Sequence, residues 1–143
     1  MAAFLYDECR RSIGGIPTHS VIDFNDDTLK AYFIDHGTDT PSQTADQDAG
    51  DRTGAFPAYA SAVDIQNSTS ISSSVMVLDG VDTVFTALDT SATTVESYDI
   101  FKESGSQATS PMVSNHDDYT GLPFTGTGGD VTVVYAATGI IRI

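Results

Sequence analysis

Along the chain, apolar side chains fall into short runs that mostly alternate with polar ones, and a single stretch repeats at helical spacing. That stretch is Phe4 to Ile13, where Phe4, Leu5, Cys9 and Ile13 recur roughly every four residues before Gly14-Gly15 and Pro17 stop the pattern. It predicts one short helix, too brief to stand without something to lie on. Thr28 to Asp35 sets Leu29, Ala31 and Phe33 against Lys30, Tyr32 and Ile34, bounded by Asn25-Asp26-Asp27 and His36-Gly37, which predicts a strand. Further β-type runs are Ile71 to Leu78, Thr83 to Leu88, Val95 to Phe101, a start at Pro111 to Ser114, Val131 to Tyr135 and Ile140 to Ile143. Turn residues separate them, including Asp79-Gly80 and Lys102-Glu103-Ser104-Gly105.

Strands at this spacing, with no strand–helix alternation, predict a mainly β fold: an antiparallel β-sandwich or jelly-roll-like barrel with one short N-terminal helix. The expected division is a helical arm over 1–15 and a β-sandwich domain over 16–143. Within the latter, 36–55 consists almost wholly of Gly, Asp, Thr, Ser, Gln and Ala, and predicts a long, exposed polar loop. Gly14-Gly15 leaves two readings of the arm open: it leaves the body to dock on a neighbour, or it caps one end of its own sandwich.

At 143 residues the chain is the size of one domain, and 40% hydrophobic residues suffice for a core. The net charge of −14, with six Lys and Arg, argues against nucleic acid, whose phosphates require cationic side chains. It argues equally against an anionic membrane, and no apolar run approaches the roughly 20 residues that span a bilayer. A lone Cys9 cannot form an internal disulfide and is expected to be inert. The first residues lack a basic region followed by a long apolar stretch, so synthesis inside the cell without a secretory signal is expected.

The residues that could carry chemistry do not assemble into a signature. His19, His36 and His116 stand in turn-like settings without zinc-ligand spacing and are expected to be exposed. Asp46, Asp48 and Asp51 could place oxygens around calcium, but the Gly and Glu of an EF-hand loop are missing, so solvated charges are expected. Asp117-Asp118 and the run Asp23, Asp26 and Asp27 receive the same reading. No Gly-x-Ser-x-Gly elbow surrounds any Ser. Gly126 to Asp130 lacks the Lys-Ser/Thr ending of a phosphate loop and is expected to be a tight turn between strands. No catalytic, cofactor-binding or metal residue is assigned, and no cofactor is expected.

Several segments together resemble a family of small virion proteins encoded among the head and tail genes of tailed bacteriophages. They are Leu5-Tyr6-Asp7 with Arg10, Asp27 to Lys30 leading to Ile34-Asp35, Gly80-Val81 before Val84 to Ala87, Ile100 to Lys102 and Ser110 to Val113. Thr120 to Thr125 and Gly128 to Val133, with the nearby Ile140 to Ile143, are the sharpest; between His36 and Ile71 no family pattern is found. The resemblance implies a non-enzymatic structural protein of the virion, assembled in the host cytoplasm. Its preferred version is a capsid decoration or cement protein on the major capsid protein; a tail or neck component is the alternative, and a virion-borne hydrolase a more remote one. Decoration proteins often occupy three-fold positions, so the resemblance also implies a homo-oligomer, with a trimer favoured.

Overall fold

The computed structural model describes residues 3–142; Met1, Ala2 and Ile143, which fall in the two predicted terminal elements, lie outside the described residues. The chain starts with strand β1 (Phe4–Leu5) and helix α1 (Asp7–Ile13), followed by β2 (Leu29–Ile34). Two brief strands, β3 (Ala55–Phe56) and β4 (Val63–Asp64), precede a hairpin of β5 (Ser68–Ser72) and β6 (Val75–Asp79). Then come β7 (Thr83–Val95), β8 (Ser97–Lys102), β9 (Met112–His116), β10 (Phe124–Val133) and β11 (Ile141–Arg142). Short 3-10 turns occupy Ala49–Asp51, Tyr59–Ser61 and Gln107–Thr109.

Every pairing is antiparallel. A six-stranded sheet runs β1-β9-β8-β2-β3 with β4 also on β2, a two-stranded ribbon joins β7 to β10, and a three-stranded sheet runs β11-β6-β5. The fold is therefore mainly β and sandwich-like with one α-helix, as the periodicities predict.

Strand β2 shows why the layers stack as they do. Its alternation sends Leu29, Ala31 and Phe33 into a core shared with Ile65 of the β4–β5 connection, Leu78 of the hairpin and Phe85 of the ribbon. There the Phe33 ring lies 4.7 Å from Phe85 and 5.0 Å from Phe124, centroid to centroid. The intervening Tyr32 and Ile34 are just as buried, in a second cluster with Tyr6, Phe101 and Met112. Both faces of the large sheet are thus covered. The second face, however, is covered largely by residues of the polar 36–55 segment and by the N-terminus.

The N-terminus departs from expectation in where its helix starts. The helix begins at Asp7, because Phe4 and Leu5 are extended and pair with Asn115 and Ser114 of β9. Helix α1 is also no detached arm: Tyr6 and Cys9 have no exposed surface, and the backbone N–H of Tyr6 donates to Val113. Of the two open readings, the structure contains the segment packed on its own body. Acidic Asp7 and Glu8 in the first turn and basic Arg10 and Arg11 in the last suit the helix dipole.

The ribbon corrects two further expectations. Strand β7 runs past Leu88 to Val95, but between Asp89↔Thr127 and Thr94↔Thr125 it carries surplus residues. Ser91 (φ 55°) and Ala92 (φ 62°) turn there in the left-handed region, and the Thr90 hydroxyl closes the bulge onto the Thr93 carbonyl. Gly126 to Asp130 is not a turn between strands but the middle of β10, broken by three register shifts that Gly128 (φ 87°) helps to accommodate. Glycine here serves bulges within a strand, a use that a short polar stretch does not distinguish from a turn.

Candidate functional site

Arg52 is the one cationic side chain, histidine aside, in the 36–55 segment, and the structure buries it completely. Its Nε donates to Asp99 Oδ2 at 3.0 Å, and its Nη1 reaches Asp39 Oδ1 at 2.9 Å and Asp46 Oδ2 at 2.7 Å. Asp99, on β8, also accepts from Asn115 Nδ2 of β9 at 2.6 Å and from the Tyr6 hydroxyl at 3.1 Å. One guanidinium thereby ties the polar segment, the N-terminus and two strands of the large sheet together. Burial pushes the Asp99 carboxyl up to about 6, against the opposing pull of Arg52, Asn115 and Tyr6, so it is ionised at neutral pH. Burial works against the Arg52 charge too, but Asp99, Tyr6, Asp39 and Asp46 outweigh it and hold the guanidinium above its ordinary range. Within the network the Arg52 and Asp99 side chains have no exposed surface, and Asp39 and Asp46 keep 12%.

The segment expected to be an exposed loop is therefore largely an anchored cover. Asp48 caps the 3-10 turn by accepting from the Gly50 N–H at 2.8 Å, and Asp51 accepts in return from the Asp48 N–H. Asp46 accepts from Ser42 N–H at 2.6 Å while pairing with Arg52. Burial raises the Asp46 carboxyl above its ordinary value, opposed by these partners. The three aspartates considered for calcium hold backbone and guanidinium, and among the described residues no group of three or more His, Cys, Asp and Glu could hold a metal ion. Asp23, Asp26 and Asp27 organise the turn before β2, with Asp27 also meeting Lys102 at 2.9 Å.

The histidines do not meet, and they are less exposed than expected. His19 sits between carboxylates, Nδ1 at 3.5 Å from Glu8 and Nε2 at 3.4 Å from Asp48, linking α1 to the cover. His36 lies within 2.9 Å of the Ser97 hydroxyl, and His116, on β9, lies within 3.0 Å of Ser114. These two Ser–His contacts superficially resemble nucleophile–base pairs. Ser97 and Ser114 are, however, buried at 0% and 1% exposure, out of reach of a substrate. Burial lowers His116 to about 4, against the pull of Asp118 and Asp117, so it is neutral at physiological pH. Cys9 is similarly out of reach, its thiol pushed up to about 12 by burial.

A groove of about 630 Å³ remains on the ribbon side of the molecule. Phe33, Tyr119, Leu122, Phe124 and Val131 line it, and Asp118 and Asp130 also border it. The Tyr119 ring stacks on His116 at 5.1 Å, which holds one wall in place. Such a surface can grip an apolar group. The sequence did offer a signal for the Arg52 site: Asp99 is the one acid inside the apolar run from Tyr98 to Phe101, and Arg52 the one strong cation in an acidic segment. Their pairing spans 47 residues, so neither pattern nor spacing points one to the other.

Comparison with protein-family models, with curated proteins and with solved structures returns no match for the chain.

Proposed function

We propose that this protein is a non-enzymatic structural component of a virus particle, a decoration or cement protein of a tailed-phage capsid. In this reading it adheres to the outer face of the shell and bridges adjoining copies of the major capsid protein, as a homo-oligomer. The distributed likeness of Thr120 to Thr125, Gly128 to Val133 and the other segments above to small phage virion proteins motivates the lineage. The observation that carries a binding role over a catalytic one is the destination of the polar side chains. Arg52, Asp99, Ser97, Ser114 and His116 are turned inward to hold the sheet, leaving the acidic, Ser- and Thr-rich surface to do the work. An acidic exterior repels nucleic acid and also keeps crowded copies from clumping.

The test is to incubate the purified protein with capsids lacking it, then quantify both retention and copy number per particle. Saturation in step with the shell lattice supports decoration. A count matching a small ring assigns the protein to tail or neck, and no retention on shells or tails overturns the structural reading.

A further inference from the structure

The open edges of the sheets are treated very unevenly. In the six-stranded sheet the outer strands β1, β3 and β4 have two residues each, too few to template another chain, and β11 at one side of the three-stranded sheet has two among the described residues. The longer ribbon is blunted differently: register shifts interrupt β10, and left-handed residues at Ala87, Ser91 and Ala92 kink β7. Strand β5 has none of these protections. It is five residues long, pairs in unbroken register with β6 alone, and contains no Pro, Gly or charge.

Its outer edge is also suited to hydrogen bonding. Ser73 (φ 54°) and Ser74 (φ 65°) form a two-residue turn with both residues left-handed, so the positions flanking the turn bond to each other. By alternation Ser70 directs its backbone groups at β6, whereas Thr69 and Ile71 direct theirs outward. Ile71 is 74% exposed although it shares a face with Met76, its cross-strand partner, and with buried Leu78. The core-side face of the hairpin therefore leaves Ile71 open to solvent near its tip.

We infer that β5 is a self-association edge, pairing antiparallel with β5 of a second copy about Ser70. Thr69 of each copy then faces Ile71 of the other, exchanging the outward N–H and carbonyl groups and joining two three-stranded sheets into one. Charge selects this occupant. A basic partner would be drawn to the acidic faces of a chain of net charge −14, whereas two such chains repel except where neither carries charge. All of β5 and the Ser73-Ser74 turn lie in the uncharged stretch from Ile65 to Leu78, and the one charge of the hairpin, Asp79, ends β6 opposite Ser68. A five-residue edge is far smaller than the roughly 800 Å² per partner of a standard interface, so the association is weak and concentration-dependent. This inference concerns the free protein and stands apart from the virion reading.

Sedimentation velocity on the free full-length protein, across concentration and salt, tests it. The weight-average mass should climb from the 15.1 kDa of one chain toward twice that value, and added salt should strengthen the association by screening repulsion. Ile71→Lys, at an exposed position, and Thr69→Pro, which deletes an outward N–H while sparing the bonds to β6, should each abolish the rise with the melting transition retained. If Thr69→Pro does not fold, Ile71→Lys decides the matter. A wild-type chain that stays monomeric, an oligomer indifferent to these substitutions, or one dissolved by salt overturns the inference.

Discussion

Replacing Arg52 by Met leaves a side chain of similar reach without charge, and the structure allows the cost to be judged. Asp99 is fully buried and loses its Nε donor, while Asp39 and Asp46, 12% exposed, are left facing each other across the vacated space. Breaking a buried pair by removing one partner costs about 3–5 kcal/mol, because the remaining charge stays desolvated. For a chain of this size that corresponds to a melting temperature lower by roughly 10–15 °C. The same change at Arg10, whose 3.4 Å contact with Asp7 is 54% and 35% exposed, should cost under about 0.5 kcal/mol. Urea melts followed by tyrosine fluorescence suit a chain with six Tyr and no Trp. The pH dependence adds an independent check. The folded Asp99 carboxyl, at about 6, binds its proton more tightly than an unfolded aspartate, so its contribution to stability falls as pH rises through this window. Without Arg52 its pKa rises further, and acid should partly rescue the variant: the loss at pH 5 should be smaller than at pH 8. Asp99→Asn in the same background should also recover part of the loss. A loss below about 1 kcal/mol, or one equal at both pH values, would refute the assignment of Arg52 as the buried hub.

Gly139 (φ 88°) leaves no room for a Cβ, which would collide with Val77 Cγ1 and come within 2.8 Å of the Leu78 carbonyl; Gly139→Ala should destabilise by about 2 kcal/mol or more in thermal melts. Ser74→Gly, in the left-handed turn of the β5–β6 hairpin, should instead raise stability by about 0.5 kcal/mol in the same melts, because the relieved strain outweighs the added unfolded-state entropy. Glu103 is held below its ordinary pKa: burial would raise it, but hydrogen bonds from Lys30, Tyr59 and the Gly105 N–H outweigh that effect. Its stabilisation is present above the unfolded pKa and is lost as pH falls through the folded value, so Lys30→Met should flatten the acid limb of the stability–pH profile. Deleting residues 1–13 removes Tyr6, Cys9 and the pairing with β9, and should collapse the melting transition of the free protein; an unchanged transition would show that the segment contributes nothing to its own core.

What the sequence determined by itself is what local patterning encodes. Alternation identified Leu29 to Ile34 and the mainly β character, and the charge defined an acidic exterior. But Ile71 to Leu78, read as one strand, holds the Ser73-Ser74 turn between β5 and β6, Val95 to Phe101 straddles the end of β7 and β8, and the two-residue strands β1, β3 and β4 were not legible. What it did not determine depends on residues far apart in the chain. Tyr32 and Ile34 read as the other side of a strand, and only tertiary packing reveals that both sides are buried. The 36–55 segment reads as solvated loop because it lacks large apolar residues, yet Arg52 makes it a cover by meeting an aspartate on β8. His116 and the glycines of β10 likewise look turn-like in isolation, since His116 and Gly126 owe their burial to strands paired from elsewhere. Periodicity records which side of an element is apolar, whereas the pairing of a buried charge and the covering of a face are set by contacts that close long loops and leave no periodic trace.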